Sequence, residues 1–88
     1  SLTDLNLNSC TSLTTLNGLN TLYSLISIDL LDCLLTEGQV DQILADLVSN
    51  GLSAGYANLQ VASGVQPTGT GLSSKAILEG NGWTVLVN

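Results

Sequence analysis

Four short stretches of this chain place two apolar residues one position apart: Leu5 and Leu7, Ile28 and Leu30, Leu59 and Val61, Val85 and Val87. A period of two marks a strand with one buried face. The first two stretches belong to a longer pattern. Leu2-x-x-Leu5-x-Leu7-x-x-Cys10 returns as Leu25-x-x-Ile28-x-Leu30-x-x-Cys33, every matched pair 23 residues apart. A weaker third copy reads Tyr56-x-x-Leu59-x-Val61-x-x-Gly64, and a truncated fourth is Val85-x-Val87. Equivalent strands of successive units would lie side by side, about 4.8 Å apart, as a parallel sheet. Parallel neighbours need a crossover, so each connector must travel back over the core.

The connectors differ. Leu13, Leu16, Leu19, Leu22 and Leu25 place an apolar residue at every third position, which suits a 3₁₀-like or extended backbone. The second connector predicts a helix. Thr36 and Gln39 form a capping-box pattern, and Val40, Ile43, Leu44, Leu47 and Val48 follow as one apolar stripe. Asn50-Gly51 supplies a left-handed stop. The third connector predicts a loop at Pro67, Gly69 and Gly71, then a short helix over 72–79, ended by Gly80 and Gly82.

The spacing L-x-x-L-x-L-x-x-N/C-x-L resembles the leucine-rich repeat family. The first unit fits it through Leu13, and the second fits through Cys33, with Thr36 in place of the last leucine. The ending, Ala76-x-Leu78-Glu79-Gly80-x-Gly82-Trp83-Thr84-Val85, looks like the closing unit of bacterial and phage leucine-rich repeat proteins. The resemblance implies an α/β solenoid: a short parallel sheet on the concave side, with irregular, 3₁₀ and α-helical segments on the convex side. It also implies one domain over 1–88, in units 1–23, 24–54 and 55–81 with a terminal strand 82–88. Such units bury their apolar faces only when stacked, about three or more together. The chain begins inside a repeat and has no methionine, so it reads as a processed product, a fragment or the ordered part of a larger protein.

Composition narrows the function. Seven acidic residues against one base, Lys75, leave a formal charge of −6. That balance excludes ordinary nucleic-acid binding, which needs a Lys/Arg footprint, and disfavours an anionic membrane surface. No apolar run approaches the length of a membrane span. Charged residues are only 9% of the chain, and Ser, Thr and Asn supply most of the polarity, as suits an extracellular, virion or cell surface. No Asn-x-Ser/Thr acceptor is present, while O-linked sugar on Ser and Thr stays open.

Catalysis finds no support. There is no histidine to activate a serine or cysteine, and the one lysine falls on a predicted helix. Gly69-x-Gly71 and Gly80-x-Gly82 lack the rest of a phosphate loop and read as turns and caps. Cys10 and Cys33 hold the same place in adjacent units. A buried thiol at the turn after each strand fits best. A disulfide stays open, although parallel Cβ vectors oppose it, and a metal site lacks further Cys or His ligands. Asp29 near Asp4 or Asn6 leaves a weak calcium site open, against solvated charge that blunts aggregation. No cofactor is implied.

Two surfaces remain. Outward strand positions Asp4, Asn6, Asn8, Ser27, Asp29, Asn58, Gln60 and Thr84, with Leu31, Ala62, Leu86 and Asn88, form the concave face that carries ligands in the family. It holds no Arg, Trp or Tyr, and its polar groups suit a glycan or peptide if they bind at all. Trp83 and Tyr56 are expected to fill the ends of the core. The outer strands, Thr3, Leu5 and Leu7 at one edge and Val85, Leu86 and Val87 at the other, are uncapped and apolar. Such edges template pairing with another chain, and a head-to-tail contact of that kind builds rings or filaments. The expectation is a non-catalytic structural or protein-interaction module that associates with itself or other subunits of an assembly. Recognition of a glycan or peptide on the concave face is the alternative.

Overall fold

A computed structural model describes residues 3–13, 16, 18–62 and 64–88. Leu2, the first leucine of the repeated motif, lies outside them. The chain forms a small α/β structure of two layers. Four strands, β1 (Asp4–Asn6), β2 (Ser27–Asp29), β3 (Tyr56–Leu59) and β4 (Thr84–Val87), make one parallel sheet in the order β1-β2-β3-β4. A 3₁₀ turn (Leu19–Thr21) and two helices, α1 (Glu37–Asn50) and α2 (Gly69–Gly80), occupy the three crossovers. The other face of the sheet is open.

The repeated motif sets the register of the first pair. Asp4, Ser27, Tyr56 and Thr84 stand opposite one another, at intervals of 23, 29 and 28 residues. The row beside them, Leu5, Ile28, Ala57 and Val85, points into the core. Next comes Leu7, Leu30, Leu59 and Val87, with Leu59 opposite Val87. The third copy read from the sequence is therefore corrected by two residues. Ala57, not Leu59, is the partner of Ile28, so the unit runs Ala54-x-x-Ala57-x-Leu59-x-x-Ala62. Gly55, at the start of this unit, leaves room for Trp83. A Cβ on Gly55 would lie within 2.6 Å of three atoms of the Trp83 ring.

The turn after each strand repeats as well. Cys10 N donates to Leu7 O and Cys33 N to Leu30 O, both at 3.1 Å. The residue before each cysteine, Ser9 (φ 64) and Asp32 (φ 66), is left-handed. Aspartate and serine tolerate that region by local hydrogen bonding better than branched residues do.

The period of three in the first connector becomes a series of i→i+3 bonds: Leu13 N to Cys10 O, Leu22 N to Leu19 O and Leu25 N to Leu22 O. Leu19 and Leu25 are buried; Leu13, Leu16 and Leu22 pack partly against the core.

α1 follows its sequence signals closely. Thr36 caps it by accepting from Gln39 N at 3.3 Å, and Gly51 (φ 71) ends it. The box is half closed, because the Gln39 side chain turns away to accept from Leu16 N at 2.9 Å. Val40, Ile43, Leu44 and Leu47 are fully buried under the sheet.

α2 starts three residues before the predicted helix, so Gly69 and Gly71 lie in its first turn rather than in a loop. Its start is held from outside. Asp41 on α1 accepts from Thr68 N at 2.8 Å and from the Thr68 hydroxyl. A carboxylate beside a helix N-terminus also answers the helix dipole. Gly71 permits the approach, since a Cβ there would meet Asp41 Oδ1 at 2.0 Å.

Candidate functional site

The edge strands come first. β1 pairs only with β2, and β4 only with β3. Leu7 N donates to Asp29 O, and Thr3 O accepts from Ser27 N, so the odd residues of β1 turn their backbone toward β2. The N–H and C=O of Asp4 and Asn6 therefore face away from the sheet. On β4, Thr84 N donates to Gly55 O, which leaves the backbone groups of Val85 and Val87 facing outward in the same sense.

The apolar rows are unevenly covered. Leu5 and Leu7 are half-buried at the β1 edge. At the β4 edge Val85 is buried, while Leu86 and Val87 are half-buried. Thr3 is exposed and lies just before β1.

The open face is less available than its composition implied. Asn6 Oδ1 accepts from Asn8 N at 2.9 Å, Asp29 Oδ1 from Leu31 N at 3.0 Å, and Asn58 Oδ1 from Gln60 N at 3.0 Å. These three residues occupy one register row. Each side chain is bound to its own backbone two residues on, as in an Asx turn. Asn58 is also 7% exposed, which removes it from the solvated surface. Asp29 Oδ2 accepts from the Asn8 amide at 3.4 Å, so that carboxylate turns to a neighbouring amide rather than to Asp4. In the fourth strand Leu86 holds the same row, and Asn88 donates to Val61 O and Val65 O instead. The sequence carried a signal for this row: Asn, Asp and Asn follow the inward residue of the first three strands.

Tyr56 corrects a second expectation. Trp83 fills the core as expected, 4% exposed, with its indole N–H donating to Leu52 O at 2.9 Å. Tyr56 does not join it. It stands on the open face between Ser27 and Thr84, 37% exposed, because its register position points away from the helices. Asp4 and Thr84 are exposed beside it in the same row, and Ser27 and Gln60 are half-buried.

Both cysteines are free thiols. Cys33 sits under the first turn and donates to Leu7 O at 3.0 Å, fully buried. Cys10 is exposed, contrary to the buried place expected for both: it follows β1, which is paired on one side, with β2. Burial pushes the Cys33 thiol above its ordinary value, with the charges of Cys10, Asp29 and Asp32 acting the same way and the Cys10 backbone N–H opposing them. The folded state thus holds this proton more tightly than the unfolded chain. The associated stability is complete below the ordinary thiol value and is lost as pH rises through that value toward the folded one. A disulfide-exchange reagent at neutral pH should label one thiol, Cys10, in the folded protein and both after denaturation. Equal labelling rates for the two would refute this assignment.

Among the described residues no helix is long and apolar enough to cross a membrane. Compared with protein-family models, with curated proteins and with solved structures, the chain matches none.

Proposed function

We propose that this chain is a leucine-rich repeat module with a structural, non-catalytic role, and that copies of it join end to end through the edges of the sheet. The observation that supports this reading is the two edge strands, each paired on one side only and each with half-buried apolar residues, and their phase permits pairing. Placed beside β1 of a second copy with Val85 opposite Leu5, β4 meets its neighbour correctly on both counts. The Val85 N–H reaches the C=O of Asp4, and the N–H of Asn6 reaches the C=O of Val85, as parallel pairing requires. In the same register Val85 and Val87 fall on the inward side with Leu5 and Leu7, continuing the apolar rows. Strands of three and four residues offer few such bonds, so association depends on concentration. The scarcity of charge and the Ser, Thr and Asn surface support a place in an extracellular, virion or cell-surface assembly.

Light scattering over a concentration series tests the proposal. Particle mass should grow with concentration in the native chain and stay monomeric in Val87→Lys, which puts a charge at the half-buried end of β4. A monomer at every concentration would refute it.

A second reading, recognition of a glycan or peptide on the open face, is favoured by Tyr56. An exposed ring flanked by Ser27 and Thr84 hydroxyls offers a stacking surface with hydrogen-bonding groups on both sides. It predicts that Tyr56→Ala abolishes binding in a glycan and peptide screen while leaving particle mass unchanged. Binding that survives Tyr56→Ala would exclude this face.

A further inference from the structure

α1 carries a polar stripe beside its apolar one: Gln39, Gln42, Asp46 and Asn50. The outer members hold the first connector. Gln39 accepts from Leu16 N at 2.9 Å, and Asn50 donates to Leu19 O at 3.0 Å and Leu22 O at 3.3 Å. Between these ties, helix and connector part to leave an open depression of about 530 Å³, with Gly18, Asn20, Thr36, Gly38, Gln42 and Asp46 in its wall. A Cβ on Gly18 or Gly38 would meet nothing within 4 Å, so the mouth is unobstructed on both sides.

Asp46 is the charged group in the wall of this depression. It is only 6% exposed. One oxygen accepts from the Gln42 amide at 2.8 Å; among the described residues the other accepts no hydrogen bond, and it is not sealed from solvent. Among the described residues no cation answers it: the one basic side chain, Lys75, is paired with Glu79 on α2 at 2.9 Å. A cation entering the depression would meet that oxygen directly, and a charge-assisted bond there is stronger than one to a neutral donor. A hard divalent ion fits poorly, since it takes several oxygen ligands and Asp46 is the sole carboxylate in the wall.

We infer that this depression binds an alkylammonium group, with the ammonium on Asp46 and its methylenes along Gly18 and Gly38. The ammonium supplies both the charge and the donor that the free oxygen lacks. Thr36 and Asn20 offer acceptors for its remaining hydrogens. The source is either a free diamine or the lysine side chain of a partner.

The test is a titration of isotope-labelled protein, followed through the backbone amides of Gly18, Gly38 and Gln42. The probes are 1,4-diaminobutane, N-acetyl-lysine amide and the neutral 1,4-butanediol. Saturable shifts with an amine and none with the diol are expected, and the tighter amine identifies the source. Asp46→Asn should weaken binding by about tenfold or more, as loss of a charge-assisted bond implies, while the surface variant Glu37→Gln should not. Equal shifts with the diol, or unchanged binding in Asp46→Asn, would overturn the inference. The diol comparison needs no variant and decides the matter even if Asp46→Asn folds poorly.

Discussion

Replacing Gly55 by alanine is expected to drive Trp83 out of the core and to destabilise the fold by about 2–4 kcal/mol, the combined scale of overpacking and of lost aromatic burial. The added methyl would stand 2.5 Å from two atoms of the indole ring and 2.6 Å from a third. The ring is buried, 4% exposed, and its N–H is tied to Leu52 O, which leaves it little room for a small adjustment. Its displacement also strands Leu52 O, which now accepts from the indole N–H. Marginal stabilities near 0.05–0.15 kcal/mol per residue give a domain of this length about 4–13 kcal/mol, so the loss is a large share of the whole. The chain has one tryptophan, so denaturation followed by its fluorescence reports the site directly. A lower midpoint and a red-shifted native spectrum are expected. An unchanged spectrum would show that the ring does not rest on Gly55.

The second large effect lies where the two helices meet. Gly71→Ala should cost about 2–4 kcal/mol, because the new methyl takes the position of the Asp41 carboxylate and crowds Pro67. Asp41→Ala should cost about 1–3 kcal/mol through loss of the bonds that start α2. The two losses share a cause. Once Asp41 is shortened, the worst clash is gone and the nearest of the remaining neighbours of a methyl on residue 71 is Pro67, 2.7 Å away. The double variant should therefore be more stable than the sum of the singles predicts, by about 1 kcal/mol or more. Urea denaturation of the four proteins measures this coupling, and strict additivity would mean that Asp41 does not occupy the space over Gly71.

What the sequence made legible follows from how local each determinant is. The strands β1 and β2 and their pairing were readable, since a leucine motif with a cysteine returns after 23 residues and both copies obey the same inward spacing. α1 was readable to its caps, because Thr36, the apolar stripe and Gly51 all act within the helix. The register of β3 was not. Leu59 and Val61 offer a stronger apolar pair than Ala57 and Leu59, and the Trp83 ring that packs on Gly55 comes from 28 positions later. The start of α2 was hidden for the same kind of reason. Gly69 and Gly71 read locally as a loop, whereas the carboxylate that organises them comes from the preceding helix.

The candidate surfaces divide similarly. Edge strands and outward positions were evident from period-two alternation. The engagement of Asn6, Asp29 and Asn58 with their own backbones was written in the sequence as one recurring residue type. The exposure of Tyr56 depended on the register that the sequence misplaced. The polar stripe of α1 was present in the chain as Gln39, Gln42, Asp46 and Asn50, but its meaning required knowing which irregular backbone lay beside it.

The strands lie in the sheet in the order in which they leave the chain, and each pairs only with its immediate predecessor and successor. Cooperativity in such an arrangement runs along one axis and is relayed by nearest neighbours. Opening then begins at an end and advances inward, with β2, β3 and α1 the last to yield because the core is centred on them. A strand supplied from outside to β1 would raise the opening free energy of that end most and of β4 least. Each addition would convert a fraying terminus into an interior position, so a growing stack would become harder to unravel at every point except its two tips.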